Sequence, residues 1–247
     1  MIADALRCLG LGVGETVLIH SDLTALRGET GMSWGETAEK LKQDILEYLG
    51  PTGTLLVPTF SWDFCQGKPY KHEVTRSHLG LFSNNILFDK RAIRSVHPIF
   101  SFAGIGPAAE QLLTGVGKSS FGKNSVFERM LSCNVTILLV NSISDIAFVH
   151  YVEQQEQVGY RFMKYFSGDV YVGEENIGGV YDFFARRKND RSVFNGDGLY
   201  KLLIESGAMT EYHTAGGYPV CRIMCQDCHD VLTDELKRNP AFLRSQG

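Results

Sequence analysis

The spacing of apolar positions changes repeatedly along this chain. Residues 2–9 place Ile2, Leu6 and Leu9 as a short amphipathic helix does, and Ala38, Leu41, Ile45 and Leu49 recur at helical spacing through 33–49. Ser33 followed by Glu36 is a capping-box signature for that second helix, and Gly50-Pro51 stops it. Short continuous apolar runs separate such segments. Thr16-Val17-Leu18-Ile19, Thr54-Leu55-Leu56-Val57 and residues 135–140 read as buried strands, and 218–224 as a further one. Helices are expected over 80–89, 107–113, 124–131, 145–158, 197–206 and 226–237, with an extended piece at 92–95. Tyr, Val, Gly and charged residues crowd 165–195, which reads as hairpins forming a small antiparallel extension. Strands alternating with helices imply an α/β layered fold with a mostly parallel core. No repeat, low-complexity tract or linker breaks the pattern, so one continuous domain over 1–247 is expected.

Composition narrows the function more than the fold. The chain has 247 residues, 44% hydrophobic and 21% charged, which suits an ordinary globular protein with a full core. Its net charge of −4 does not supply the basic field of a nucleic-acid binder, so any anion must be held by a local cluster. No apolar run reaches the roughly 18 residues of a membrane span. Met1-Ile2-Ala3-Asp4 lacks the charged-then-apolar pattern of a secretion signal, and a cytoplasmic location is expected. Cys8, Cys65, Cys133, Cys221, Cys225 and Cys228 are scattered irregularly, which argues against a disulfide framework. Cys225-x-x-Cys228, with Cys221 and His229 nearby, has zinc-ligand spacing but lacks a second pair, and no metal is expected.

Polar residues gather where apolar strands end. The first strand runs into His20-Ser21-Asp22-Leu23, the second into Pro58-Thr59-Phe60-Ser61, the third into Asn141-Ser142. Ligands of open α/β sheets bind outside the carboxyl ends of the strands, so these segments would line one crevice. The plainer alternative is ordinary strand-to-loop transition. In Arg94-Ser95-Val96-His97-Pro98-Ile99-Phe100-Ser101-Phe102, Arg94 could fork onto a phosphate and Ser95 and Ser101 supply hydroxyls; a surface arginine beside a core histidine would look the same. Phe121-Gly122-Lys123-Asn124-Ser125 is a turn into a helix whose amides could approach a ligand. His150 and Glu153 stand three apart and share a helix face. Glu153 could hold His150 in one tautomer, or face a substrate ammonium, or the two could be a surface pair.

In this order and spacing the quoted stretches resemble the aminoglycoside 3-N-acetyltransferase family, from about residue 14 to 160. They include Gly50 to Phe60 and Arg94 to Gly106 together with the segments at 17–23, 121–125 and 150–153. The resemblance implies a three-layer α/β/α fold, acetyl-CoA as co-substrate, and the amine of an amino sugar as acceptor. It implies coenzyme contacts from His20, Ser21, Leu23, Thr59, Phe60, Arg94, Ser95, His97, Ser101, Gly122 and Ser125. It makes His150 the general base and Glu153 its accompanying acid, with direct transfer in a ternary complex.

The chain departs from the family in having Ala147 three residues before the histidine and Asp22 after Ser21. Beyond residue 160 the match weakens, and Asp190 and Asp197 are the candidate later acids. Charges in 153–191 are mixed: Glu153, Glu156, Asp169, Glu174, Glu175, Asp182 and Asp190 against Arg161, Lys164, Arg186, Arg187, Lys188 and Arg191. That balance suits a phosphate-bearing acceptor such as a nucleotide-linked amino sugar at least as well as a polycationic aminoglycoside, and a solvated surface would show it too. The expected partner is a small-molecule amine, with no nucleic acid or membrane, and a homodimer is an open arrangement. The rival readings are a non-catalytic coenzyme-A-binding protein and a metal-dependent hydrolase.

Overall fold

The computed structural model describes residues 2–143, 145–187 and 191–245. The elements begin with α1 (Ile2–Cys8), β1 (Thr16–Ser21), α2 (Thr24–Thr30), α3 (Trp34–Leu49) and β2 (Thr54–Pro58). Next come β3 (Tyr70–Lys71), α4 (Leu81–Leu87), β4 (Ile93–Arg94), β5 (Phe102–Ile105), α5 (Ala109–Leu113), α6 (Val126–Ser132) and β6 (Thr136–Val140). Helix α7 (Val149–Gln155) leads into β7 (Arg161–Gly168), β8 (Val170–Val172), β9 (Glu175–Asn176), β10 (Gly179–Arg186) and β11 (Val193–Phe194). The chain finishes with α8 (Gly196–Glu205), β12 (Met209–His213), β13 (Pro219–Met224), α9 (Cys225–Arg238) and β14 (Arg244–Ser245).

A seven-stranded sheet in the order β12-β13-β6-β1-β2-β5-β4 forms the centre. Strands β6, β1 and β2 pair in parallel, and the flanking pairings are antiparallel. Following those directions across the sheet, only β13 and β5 run against the rest, so five of the seven strands point one way.

Alternation along the strands builds the layers. Val17, Ile19, Leu55, Val57, Leu138 and Val140 enter one core, while Leu18, Leu56, Ile137 and Leu139 enter the other. The continuous apolar runs follow from this, because a central strand with helices on both faces must be apolar on both. Helices α1 to α4 close the first core with Leu6, Leu26, Leu41, Ile45 and Phe82. Helices α5 to α9 close the second with Leu112, Phe127, Val152, Leu203 and Leu232. The result is the expected three-layer α/β/α arrangement.

The capping box on α3 forms as read: Ser33 Oγ accepts from the Glu36 amide at 3.3 Å, and Glu36 Oε2 from the Ser33 amide at 2.9 Å. The antiparallel extension is a long β7–β10 hairpin, in register from Arg161↔Arg186 to Gly168↔Gly179, beside a small β3-β8-β9 sheet. Among the elements that carried no clear local signal are three longer ones. Helix α2 has no side-chain cap. Strand β12 is a polar edge strand. Strand β5 contains Gly104 and is followed by Gly106, which reads as a turn; a Cβ on Gly104 would come within 2.4 Å of Leu56 Cδ2. Helix α7 occupies only the middle of the 145–158 segment expected to be helical.

Gly106 has φ +133°, and a Cβ there would sit 2.3 Å from the Gly53 carbonyl oxygen. Gly106→Ala should therefore cost more than about 2 kcal/mol in denaturant unfolding, whereas Ser33→Ala should cost about 1 kcal/mol through the lost cap. Equal effects of the two substitutions would show that the strained turn is not a constraint.

Candidate active site

The parallel strands end side by side, and the register His20↔Leu139 and Ser21↔Val140 brings the end of β1 against that of β6. A cavity of about 450 Å³ opens there. Its walls include His20 and Ser21 from β1, Pro58 and Phe60 at the end of β2, and Ser142 and Asp145 after β6. These are the three strand-end segments that the sequence placed around one crevice. His150 and Glu153 of α7 line the same cavity, as does Ala147.

The Glu153 side chain is only 1% exposed, whereas that of His150 is 29% exposed. A carboxylate so buried needs charged or hydrogen-bonding partners. It has three. His150 Nδ1 lies 2.6 Å from Oε2, Arg161 Nε lies 2.8 Å from the same oxygen, and the Tyr160 hydroxyl donates to Oε1 at 2.7 Å. Burial by itself would raise the Glu153 pKa. The hydrogen bond and charge of His150, the charge of Arg161 and the Tyr160 hydroxyl outweigh it and hold the carboxyl below its ordinary value. The same contact pushes the Tyr160 phenol upward, after burial as the larger cause.

Arg161 Nη2 also approaches His150 Nδ1, at 3.0 Å. One ring nitrogen cannot donate to a carboxylate and accept from a guanidinium together. The carboxylate contact is the shorter, and a bare lone pair facing Oε2 at that distance would be repulsive. The proton is therefore assigned to Nδ1, which leaves Nε2 with the lone pair. Arg161 is fixed separately through Nη1 to the Phe184 carbonyl at 3.0 Å.

Across the cavity, burial pushes the His20 imidazole down to about 4, against the charge of Asp145, which acts to raise it. His20 is thus neutral near pH 7. Its Nε2 is buried without a hydrogen-bond partner among the described residues.

The remaining sequence candidates stand outside the cavity lining. Leu23 is buried in the core on the α1–α4 side. Thr59 Oγ1 and Ser101 Oγ are 2.8 Å apart and buried. Arg94 spends its donors within the protein, on the carbonyls of His72 at 2.7 Å and Thr75 at 2.8 Å and on Ser101 Oγ at 3.2 Å. Ser95 Oγ accepts from the Phe102 amide at 2.9 Å. His97 Nδ1 accepts from the Ile99 and Phe100 amides, and burial takes its pKa down to about 4. Ser125 caps α6 by accepting from the Glu128 amide. A Cβ on Gly122 would lie 2.6 Å from Ser119 Oγ. This set ties together the loops behind the strand ends.

Of the later acids, Asp197 lies exposed in the first turn of α8, and Asp190 lies outside the described residues. Cys221, Cys225 and Cys228 are buried in the core on the α5–α9 side. Among the described residues no group of three or more His, Cys, Asp or Glu could hold a metal ion, and no helix is long and apolar enough to cross a membrane.

Sequence reasoning missed Asp145, Tyr160 and Arg244, all of which line the cavity, and counted Arg161 and Arg186 only as charges among many. Nothing in local spacing marks them: Asp145 sits in the loop between β6 and α7, and the hairpin and the C-terminal segment bring in the others.

The aminoglycoside 3-N-acetyltransferase family model matches residues 18–229. An aminoglycoside N(3)-acetyltransferase III from Acinetobacter baumannii is 27% identical over 177 residues, covering 62% of this chain and 58% of that protein. The match thus spans less than two thirds of that relative's length. In fold, the chain is similar to the aminoglycoside acetyltransferase AAC(3)-Xa, with a TM-score of 0.81, 19% identity, and coverage of 98% of this chain and 92% of that one. It is similar also to AAC-IIIb in binary complex with CoASH, with a TM-score of 0.81, 14% identity, and coverage of 96% and 95%. With the family model matching most of its length, the chain belongs to the aminoglycoside 3-N-acetyltransferase family.

Proposed function

We propose that the protein transfers the acetyl group of acetyl-CoA directly to the amine of an amino sugar, nucleotide-linked or of the aminoglycoside type, with His150 as general base. The observation that carries this reading is the His150–Glu153 pair inside the strand-end cavity. Family membership and the coenzyme-bound structural relative support the donor. The reading places the enzyme in the cytoplasm, where acetyl-CoA is at hand.

An alkylammonium has no lone pair for attack, so its proton must leave first. His150 Nε2 accepts that proton, and the imidazolium so formed is stabilised by Glu153 through Nδ1. The freed amine nitrogen bonds to the thioester carbon, whose oxygen becomes an oxyanion. Ser21 and the neighbouring backbone amides are the donors we assign to it. Collapse breaks the carbon–sulfur bond, and the departing thiolate takes the proton back from His150. The second proton of the former ammonium leaves the nitrogen to solvent, so the products are an amide, a free thiol and one released proton. Tyr160 and Arg161 act as positioning residues by fixing the carboxylate. We assign His20, Ser21 and Phe60 to the coenzyme wall. Leu23, Thr59, Arg94, Ser95, His97, Ser101, Gly122 and Ser125 shape the loops that form it.

In a thiol-release assay with an amino-sugar panel, His150→Ala should lower turnover by about 10²–10⁴-fold while acetyl-CoA binding survives. Full activity in that variant would sink the assignment. Glu153→Gln can stabilise the other imidazole tautomer by donating to Nδ1, so it should lose turnover on a similar scale, about 10²–10⁴-fold, with the fold intact. Because the folded-state pKa of Glu153 is lowered, its ionisation contributes stability above the unfolded value of about 4.3. That contribution is lost as pH falls through the folded pKa. The stability gap between wild type and Glu153→Gln, measured by urea unfolding, should therefore narrow in acid; a gap independent of pH would contradict the ion pair.

A further inference from the structure

We propose that the acceptor carries a phosphate group and that Arg186, with Arg244 beside it on Ser192, forms the subsite that holds it, an inference that rests on the transferase reading above. Three guanidinium groups line the cavity, those of Arg161, Arg186 and Arg244. The carboxylates in its lining, among the described residues, are Asp145 and Glu153. Glu153 is already committed to His150, Tyr160 and Arg161.

Arg161 and Arg186 are directly opposed across the β7–β10 ladder. Like charges in that relation are destabilising unless a counter-charge is supplied. Arg161 has Glu153. Arg186 is exposed, and its hydrogen bond among the described residues runs from Nη1 to the Ser192 carbonyl at 2.9 Å, with no carboxylate partner there. Arg244 donates from Nε to Ser192 Oγ at 2.7 Å, and its guanidinium lies 4.9 Å from the centroid of the Tyr160 ring.

Ser192 therefore draws two guanidinium groups to one stretch of wall. That wall adjoins Tyr160, which contacts Glu153 directly. The planar donor fork of Arg186, in the wall of the cavity that holds the proposed base, matches the oxygens of a phosphate. It opposes a polycation. Several of the mixed charges of the 153–191 segment are thereby given partners. Lys164 and Arg187 lie over the rings of Phe166 and Phe162, and Asp182 accepts from Ser119 Oγ. Among the described residues, Arg161 and Arg186 are the members of that basic set that line the cavity.

The test is steady-state thiol release at saturating acetyl-CoA with three acceptors: a nucleoside-diphosphate-linked amino sugar, the same amino sugar without phosphate, and a polycationic aminoglycoside. The phosphate-bearing acceptor should have a kcat/KM at least about 10-fold above its phosphate-free counterpart. Arg186→Ala and Arg186→Gln should each raise the KM for that acceptor about 10–100-fold and abolish the preference, leaving the KM for acetyl-CoA unchanged. Preference for the phosphate-free or the polycationic amine overturns the proposal. So does a raised acetyl-CoA KM in the Arg186 variants, which would assign the guanidinium to the coenzyme's own phosphates. If no amine releases thiol, the transferase reading fails instead. Calorimetric titration of the nucleotide sugar into coenzyme-A-saturated protein then decides the subsite alone. Weaker binding by Arg186→Ala supports it, and equal binding by wild type and variant overturns it.

Discussion

A carboxylate buried as deeply as that of Glu153 is costly unless charge and hydrogen bonds surround it, and the candidate site is organised around meeting that requirement. Its partners come from two elements. His150 is on α7, one turn before Glu153, while Tyr160 and Arg161 stand at the start of the β7–β10 hairpin. Satisfying the carboxylate therefore locks the hairpin to the helix. It also fixes which imidazole nitrogen carries the proton, and so which one faces the chemistry. Removing one partner would leave a buried charge under-compensated, which costs more than the contact itself contributes.

The sheet supplies the second constraint. Strands β1, β2 and β6 run parallel and end together, so the loops after them share one crevice. Helices on both faces exclude water from the strands and leave the carboxyl ends as the open edge of the layer. Behind that edge, Arg94 and Ser101 bond to each other and Ser101 to the Thr59 carbonyl, while His97 braces its own loop by accepting from the Phe100 amide. Residue types that look suited to a ligand are here largely committed to the protein's own backbone. A phosphate-seeking guanidinium and a carbonyl-tying one are the same side chain, and only the neighbours distinguish them.

Much of the fold could be read because its signals are local. The Ser33–Glu36 box, the helical spacing through Leu49 and the apolar runs of β1, β2 and β6 each depend on residues a few positions apart. The His150–Glu153 pair was legible for the same reason, as was the crevice at the strand ends. Strand β5 was not, because Gly104 reads as a turn until Leu56 of the neighbouring strand shows why no larger side chain fits. Edge strand β12 was missed because a polar strand lacks the apolar pattern by which strands are recognised.

What the sequence determined alone was the layered α/β class, the capped helix α3, and a histidine and a carboxylate on one face of a short helix. What the tertiary structure decided was the environment of that pair. It set Arg161 and Tyr160 on Glu153, placed His20 and Asp145 across the cavity, and aligned Arg186 and Arg244 on Ser192. The physical reason is range. Backbone periodicity and capping act over a turn or two of chain, so they can be read from neighbours. Charge compensation acts through space, between groups that only sheet register and hairpin docking bring together.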